Sequence, residues 1–119
     1  MKKFVVVYRV PVEIAEKWKK ETPPEEMKKQ DEKLGVEMMA WLKKYDKEIV
    51  DKGLPLGKNT RLSVDGVQSV ANDMNYYCVI EGESVDDVIA ILKDGSHLMI
   101  PGAYMDIMEV PHMTPSQAA

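Results

Sequence analysis

The sequence predicts an α+β fold, one antiparallel sheet with its helices packed on a single face. Three observations predict it. Four stretches have strand character: "KFVVVYR", "NTRLSVDGVQSV", "NYYCVIEG" and "AYMDIMEV". Helical periodicity fills the interval after the first of them and the interval between the third and the fourth. With 119 residues, 45% hydrophobic and 30% charged, the chain has the size and composition of one globular domain.

"KFVVVYR" is dense in β-branched and aromatic residues and apolar on both faces near its middle, which predicts an inner strand that Pro11 ends. In "VEIAEKWKK", Ile14 and Trp18 stand four apart, the spacing of a short amphipathic helix or a lid-like turn. "TPPEE" reads as a helix start, with Thr22 as cap, Pro23 at the first helical position and Glu25 completing a capping box. Met27, Leu34, Met38, Trp41, Leu42, Tyr45 and Ile49 then draw one helical face, with Gly53 as the stop. A helix over residues 23–52 would be ~45 Å long at 1.5 Å per residue. A domain of this size is roughly 35 Å across. The helix must therefore overhang or bend, and Gly35, ~1 kcal/mol worse than alanine in a helix interior, is its weakest point.

In "NTRLSVDGVQSV", Leu62 and Val64 alternate ahead of Asp65-Gly66, a dipeptide suited to a tight hairpin. "NYYCVIEG" is a further strand, apolar on both faces. "SVDDVIAILKDG" offers Ser84 as cap with Asp87 three residues on, an apolar face of Val85, Val88, Ile89 and Leu92, and Gly95 as stop. "AYMDIMEV" makes the last strand. The expected domain runs over residues 1–111, and residues 112–119, which lack periodicity, are expected to form a mobile or draped tail.

The order β, long α, β, β, α, β, with right-handed crossovers, is the ferredoxin-like βαββαβ arrangement. Both helices then lie on one face, and the other face is left bare. Burying a valine or leucine is worth ~1.5–3 kcal/mol. Val5 and Val7, with Tyr77 and Val79, are therefore expected to meet a second copy of the chain, and a homodimer is predicted.

The bulk numbers exclude several classes of function. A net charge of −4 argues against a nucleic-acid footprint, and the lysines of "EKWKKET" and "EMKKQDEK" are interleaved with glutamates, as on a solvated helix face. No apolar run approaches the ~18 residues that cross a bilayer, so no membrane partner is expected. "MKKFVVVYRVPVE" begins with two lysines and a short apolar run, but Tyr8 and Arg9 interrupt that run and no small-residue cleavage site follows. It reads as a first strand, and a cytoplasmic location is expected. The single cysteine, Cys78, excludes an internal disulfide and reads as a small buried apolar residue rather than a nucleophile. His97 and His112 lack metal-ligand spacing with Asp106 and Glu109, so no metal is expected. Glycine-rich phosphate loops, nucleophile elbows and dinucleotide fingerprints are absent from the sequence.

A set of short motifs gives the chain a family likeness. Gly53-Leu54-Pro55-Leu56-Gly57 forms a Gly-x-Pro-Leu-Gly element, and Glu81 to Ser84 closes a strand with an acidic-small-Ser step into the second helix. His97-Leu98, Gly102 and Met105-Asp106-Ile107 follow in order near the end. Over roughly residues 1–110 the chain resembles the YCII-related superfamily, on its DGPF-domain side. It departs from that pattern where Ser96 replaces the proline before the histidine, where Met99-Ile100-Pro101 precedes Gly102, and where "SVANDMNYY" stands in place of the Asp-Gly-Pro-Phe signature. Residues 12–22 are an insertion. The resemblance implies a dimeric α/β barrel, two ferredoxin-like sheets face to face with clefts between sheet and helices. Relatives across the wider fold include dehalogenases, muconolactone isomerases, cofactor-free monooxygenases and haem-handling enzymes. A His-Asp pair has been proposed as catalytic in some YCII-type proteins. His97 matches the histidine, and the aspartate has no match here.

His97 is thus the candidate catalytic residue. Imidazole titrates near ~6.5 and both takes and gives a proton at neutral pH, and positioned acid-base catalysis contributes ~10²–10⁴-fold. Equally, a histidine just past a helix C-terminus serves structure, its charged form favoured by the helix dipole. Tyr8 and Arg9, at the end of the first strand, are candidate substrate-binding residues; Arg9 suits a carboxylate through a bidentate pair. His112 reads as solvated, Asp46 and Asp51 as solvated-face charges, and Asp73 and Asn75 as turn residues. Trp18, Met27, Met38 and Trp41 read as core, and Met99, Met105 and Met108 as core or as the lining of an apolar cavity. Two functions stay open beside a purely structural dimer kept for assembly. One is a cofactor-free enzyme of isomerase, lyase or dehalogenase type acting on a small organic molecule. The other is a non-catalytic dimer that binds a small ligand or a partner protein.

Overall fold

The computed structural model describes residues 1–111; the calls on the tail and on His112 lie outside them. The elements are β1 (Lys2–Arg9), α1 (Val12–Glu21), α2 (Pro24–Lys44), β2 (Ile49–Asp51), β3 (Asn59–Ser63), β4 (Gly66–Val70), β5 (Met74–Gly82), α3 (Val85–Lys93) and β6 (Tyr104–Glu109). The main sheet has the order β2-β5-β1-β6 and is antiparallel throughout. β3 and β4 pair only with each other. With that hairpin and α1 set aside, the path is βαββαβ with the first and third strands at the centre, the ferredoxin-like α+β arrangement that the sequence predicts.

Strand alternation divides the sheet into two faces. On one lie Phe4, Val6 and Tyr8 of β1, Cys78 and Ile80 of β5, and Ile49 of β2, all buried, with Met105 and Ile107 of β6 packed beside them. Trp41 of α2 and Val88, Ile91 and Leu92 of α3 close over this face and complete the core. The Trp41 indole donates to the Ile91 carbonyl at 2.9 Å, tying the two helices together. α3 starts as its sequence predicts: the Ser84 hydroxyl accepts from the Asp87 amide, and the Asp87 carboxylate accepts from the Glu83 amide. The opposite face carries Val5, paired with Val79 and Met108, and Val7, paired with Tyr77 and Asp106. No helix of the chain covers it among the described residues.

Three expectations are corrected. α2 ends at Lys44, not Lys52, and the segment that looked like its last turns is strand β2. Ile49 does lie on the helical stripe, four residues after Tyr45, but its buried side chain joins the sheet opposite Ile80. Gly53 accordingly stops no helix. It adopts φ 71° where a Cβ would overlap the carbonyl oxygen of Tyr77, so the chain passes too close to β5 for any side chain. Second, the "NTRLSVDGVQSV" hairpin is not a main-sheet strand; β2 already holds that edge. Its turn falls at Val64-Asp65, with Gly66 opening β4 at φ 122°. Third, Thr22 closes α1 rather than capping α2, whose cap position is taken by Pro23. α2 runs unbroken through Gly35 and overhangs the sheet.

The overhang and the hairpin give the chain its shape. Its extents are 51 × 44 × 19 Å and its radius of gyration is 16.6 Å, against ~13.5 Å for a compact domain of this length. α1 and the first half of α2 form one projection, a helical hairpin, and β3–β4 form a second. No helix among the described residues is long and apolar enough to cross a membrane.

Candidate functional site

The segment after α3 folds into tight turns that return the chain to the sheet. Met99 donates to the Ser96 carbonyl, Ile100 to that of His97 and Ala103 to that of Ile100, at 3.0–3.1 Å. Gly102 takes φ 74°, and Ile14 of α1 packs where its Cβ would lie. This winding sets the His97 ring against the end of β1. His97 Nε2 lies 3.2 Å from the carbonyl oxygens of both Arg9 and Tyr104. Both partners only accept, so Nε2 carries the proton and the lone pair is on Nδ1. Among the described residues no buried side-chain nitrogen lacks a partner, so Nδ1 reaches solvent.

Burial, the largest influence, holds the His97 pKa below its ordinary value, while the two carbonyls pull the other way. The imidazole is neutral at pH 7. The unfolded chain therefore binds a proton more readily than the folded one below about pH 6.5. Stability is expected to fall as pH drops through that value and to level off below the folded-state pKa. The His97→Gln variant should lack this component when urea midpoints are compared at pH 7.5 and 5.5. An identical pH dependence in both proteins would refute the assignment.

Tyr8 lies beneath His97, ring centroids 4.8 Å apart and edge-on, and meets Tyr76 in the same manner at 5.4 Å. Its hydroxyl is inside the core, where Cys78 Sγ approaches to 3.9 Å. Burial raises the Tyr8 pKa far above the ordinary tyrosine value, so the hydroxyl stays protonated. Burial also pushes the Cys78 thiol up to about 11. Cys78 is a fully buried apolar filler, as its sequence setting predicts. Alkylation by iodoacetamide at pH 8 is expected to be at least ~100-fold slower in the native protein than in urea, with mass spectrometry reading the difference.

Arg9 points to the other face. Its guanidinium donates from Nε to Asp106 at 2.7 Å and from Nη1 to Asp73 at 2.9 Å. Two carboxylates already occupy the fork, so a substrate carboxylate arriving there would add a third negative charge. Asp73, expected as a plain turn residue, is thus an ion-pair partner. The structure brings His97, Tyr8 and the Arg9 backbone together. No aspartate is hydrogen-bonded to His97 among the described residues.

None of these three residues lines the large cleft. That cleft, about 1170 Å³, opens between the two projections. The helical projection supplies Ile14 and Trp18 of α1 and Leu34 of α2; the strand side supplies Leu56, Val70 and Met74. Val10, Met99 and Ile100 form its floor, which places His97 next to the wall, two residues from Met99 and bonded to the chain neighbour of Val10. The Trp18 indole donates to Gln30 Oε1 at 3.1 Å and so fixes α1 to α2. Asn72 braces the opposite side: its amide nitrogen donates to the carbonyls of Gly57 and Met74, and its oxygen accepts from the Met74 amide. A β-bulge between Tyr8 and Arg9 leaves Asn75 without a partner on β1 and places it on the cleft wall.

Trp18, Asn72 and Asn75 were not visible as site residues in the sequence, because no motif links them; Trp18 four residues from Ile14 was the single trace. A smaller cavity of about 360 Å³ lies beside Trp41, Lys44, Asp94 and Met99. No group of three or more metal-ligating side chains occurs among the described residues. The fold and the cleft define an α+β protein of ferredoxin-like topology with a ligand-sized groove between a helical and a β projection. A scan against protein-family models gives no match, and neither does a search of the curated proteins.

Proposed function

We propose that this chain is a YCII-like cytoplasmic protein that works as a homodimer and binds a small organic molecule without a resident cofactor. The cleft between the projections carries the reading. Its volume, about 1170 Å³, is slightly above the ~300–1,000 Å³ usual for small-molecule sites, and its lining sets apolar side chains such as Trp18, Leu34, Leu56 and Met74 among charged and amide ones. The dimer is supported by the sheet face opposite the helices, where Val5, Tyr77 and Val79 stay half-buried and Val7 alone is buried. A second reading adds catalysis, and one observation favours it. His97 is neutral, its proton is committed to two carbonyls through Nε2, and Nδ1 is left as a free base.

An NMR screen of small organic molecules against ¹⁵N-labelled protein tests the first reading. Ligand-induced shifts should gather at α1, the first half of α2 and residues 56–59, and Trp18→Ala should abolish them. Shifts confined to other surfaces would reject the site. For a ligand that is also turned over, His97→Ala should remove turnover and leave binding in place; unchanged turnover would reject the catalytic reading. Sedimentation velocity should show a dimer that Val79→Asp converts to monomer, and a monomeric parent protein would overturn the assembly.

A further inference from the structure

Taking the cleft as the ligand site, we infer that its ligand is an organic anion, an apolar body with one carboxylate or phosphate head, and that the head sits at Lys58. The charges around the groove are unevenly placed. On the helical side Lys17, Lys19 and Lys33 stand against Glu21, Asp31 and Glu37, and the two sets cancel. The strand side contributes Lys58 and no carboxylate. The groove therefore carries one net positive charge, in a chain whose net charge is −4, and that charge is localised on one wall.

The groups beside Lys58 suit an anion. Asn59 follows it in the chain, and Asn75 stands on the same wall at the bulge. Among the described residues neither spends its side-chain amide on another protein group, whereas the Asn72 amide is fully used for bracing. Lys58 likewise has no ion pair among the described residues. Two open amides and an ammonium together offer donors to an oxyanion. The adjoining wall of Leu56, Val70 and Met74 lowers the local dielectric, which strengthens the attraction. Across the groove, Trp18 and Leu34 present a surface for the apolar body. A neutral molecule of the same shape fills that surface but gains nothing from Lys58, and a cation is repelled.

Three ligands with one body and different heads provide the test: octanoate, octanol and octyltrimethylammonium. The Trp18 indole N–H resonance reports binding, and the resonance of the buried Trp41 serves as internal reference. Octanoate should shift the Trp18 signal saturably, with a dissociation constant about tenfold below that of octanol, and the cation should bind most weakly. Lys58→Gln should bring octanoate to the affinity of octanol. Lys29→Gln, outside the groove, should change it less than twofold. Equal affinities for octanoate and octanol, or a preference that survives Lys58→Gln, would overturn the anionic ligand while leaving the groove as a binding site. If none of the three moves the Trp18 resonance, the site itself falls.

Discussion

Gly53→Ala is expected to destabilise the protein by about 3–4 kcal/mol, lowering the midpoint of thermal unfolding by ~12–16 °C. Two effects act together. The residue adopts φ 71°, a conformation costly to any residue with a Cβ, and that Cβ would overlap the Tyr77 carbonyl. The obstacle is backbone of a central strand, which cannot swing aside as a flexible side chain would. Relief requires moving the 53–57 segment off β5, which breaks the bridge between Pro55 and Tyr76 and the bond from the Leu56 amide to the Asn75 carbonyl. The strand-side wall of the cleft would shift with it. Gly35→Ala supplies the contrast. A Cβ there meets nothing within 4 Å on an exposed helix face, so the substitution should stabilise by about 0.5–1 kcal/mol. Calorimetry of the two variants should move in opposite directions. A Gly53→Ala protein as stable as the parent would show that β2 and its return loop are not packed as described.

Ile80→Ala should cost about 2–5 kcal/mol, the range for removing a large buried aliphatic side chain. Ile80 is wholly inaccessible and sits between Phe4 on β1 and Ile49 on β2. It is thus the point at which the short edge strand is joined to the centre of the sheet. Because β2 has only three residues, little else compensates, and the expected loss lies in the upper half of the range. Urea denaturation gives the value directly, and a loss below ~1 kcal/mol would contradict the assignment of Ile49 to the sheet.

The inner strands, α3 and β6 were legible because their signals are local. β1 and β5 have apolar residues on both faces, and Ser84 with Asp87 marks a helix start that the structure reproduces. β2 was illegible for an equally physical reason. Ile49 satisfies the helical spacing from Tyr45 and the strand alternation at once, and Gly53 resembles a helix stop. Tertiary contact with Ile80 decides between the two. The β3–β4 hairpin was recognised as a hairpin but misplaced, since its turn chemistry says nothing about which sheet, if any, receives it. Of the candidate site, the His97 ring meets the Tyr8 ring and the Arg9 carbonyl, a proximity that no spacing in the sequence announces. Arg9 was expected to be available to a ligand. Its two carboxylate partners lie 64 and 97 residues away in the chain, and no spacing rule finds them. The groove walls come from five separate segments, and of the short motifs in the sequence the Leu56-Gly57 end of the Gly-x-Pro-Leu-Gly element reaches them.

Every residue of α1 keeps some contact with water, and the helix is held by Ile14 over Gly102 and by the Trp18–Gln30 bond. A helix of ten residues has little persistence of its own. It should fray and reform many times within the lifetime of the folded sheet, and its amides should exchange with deuterium long before those of β1 and β5. The helical wall of the groove is then its least persistent part.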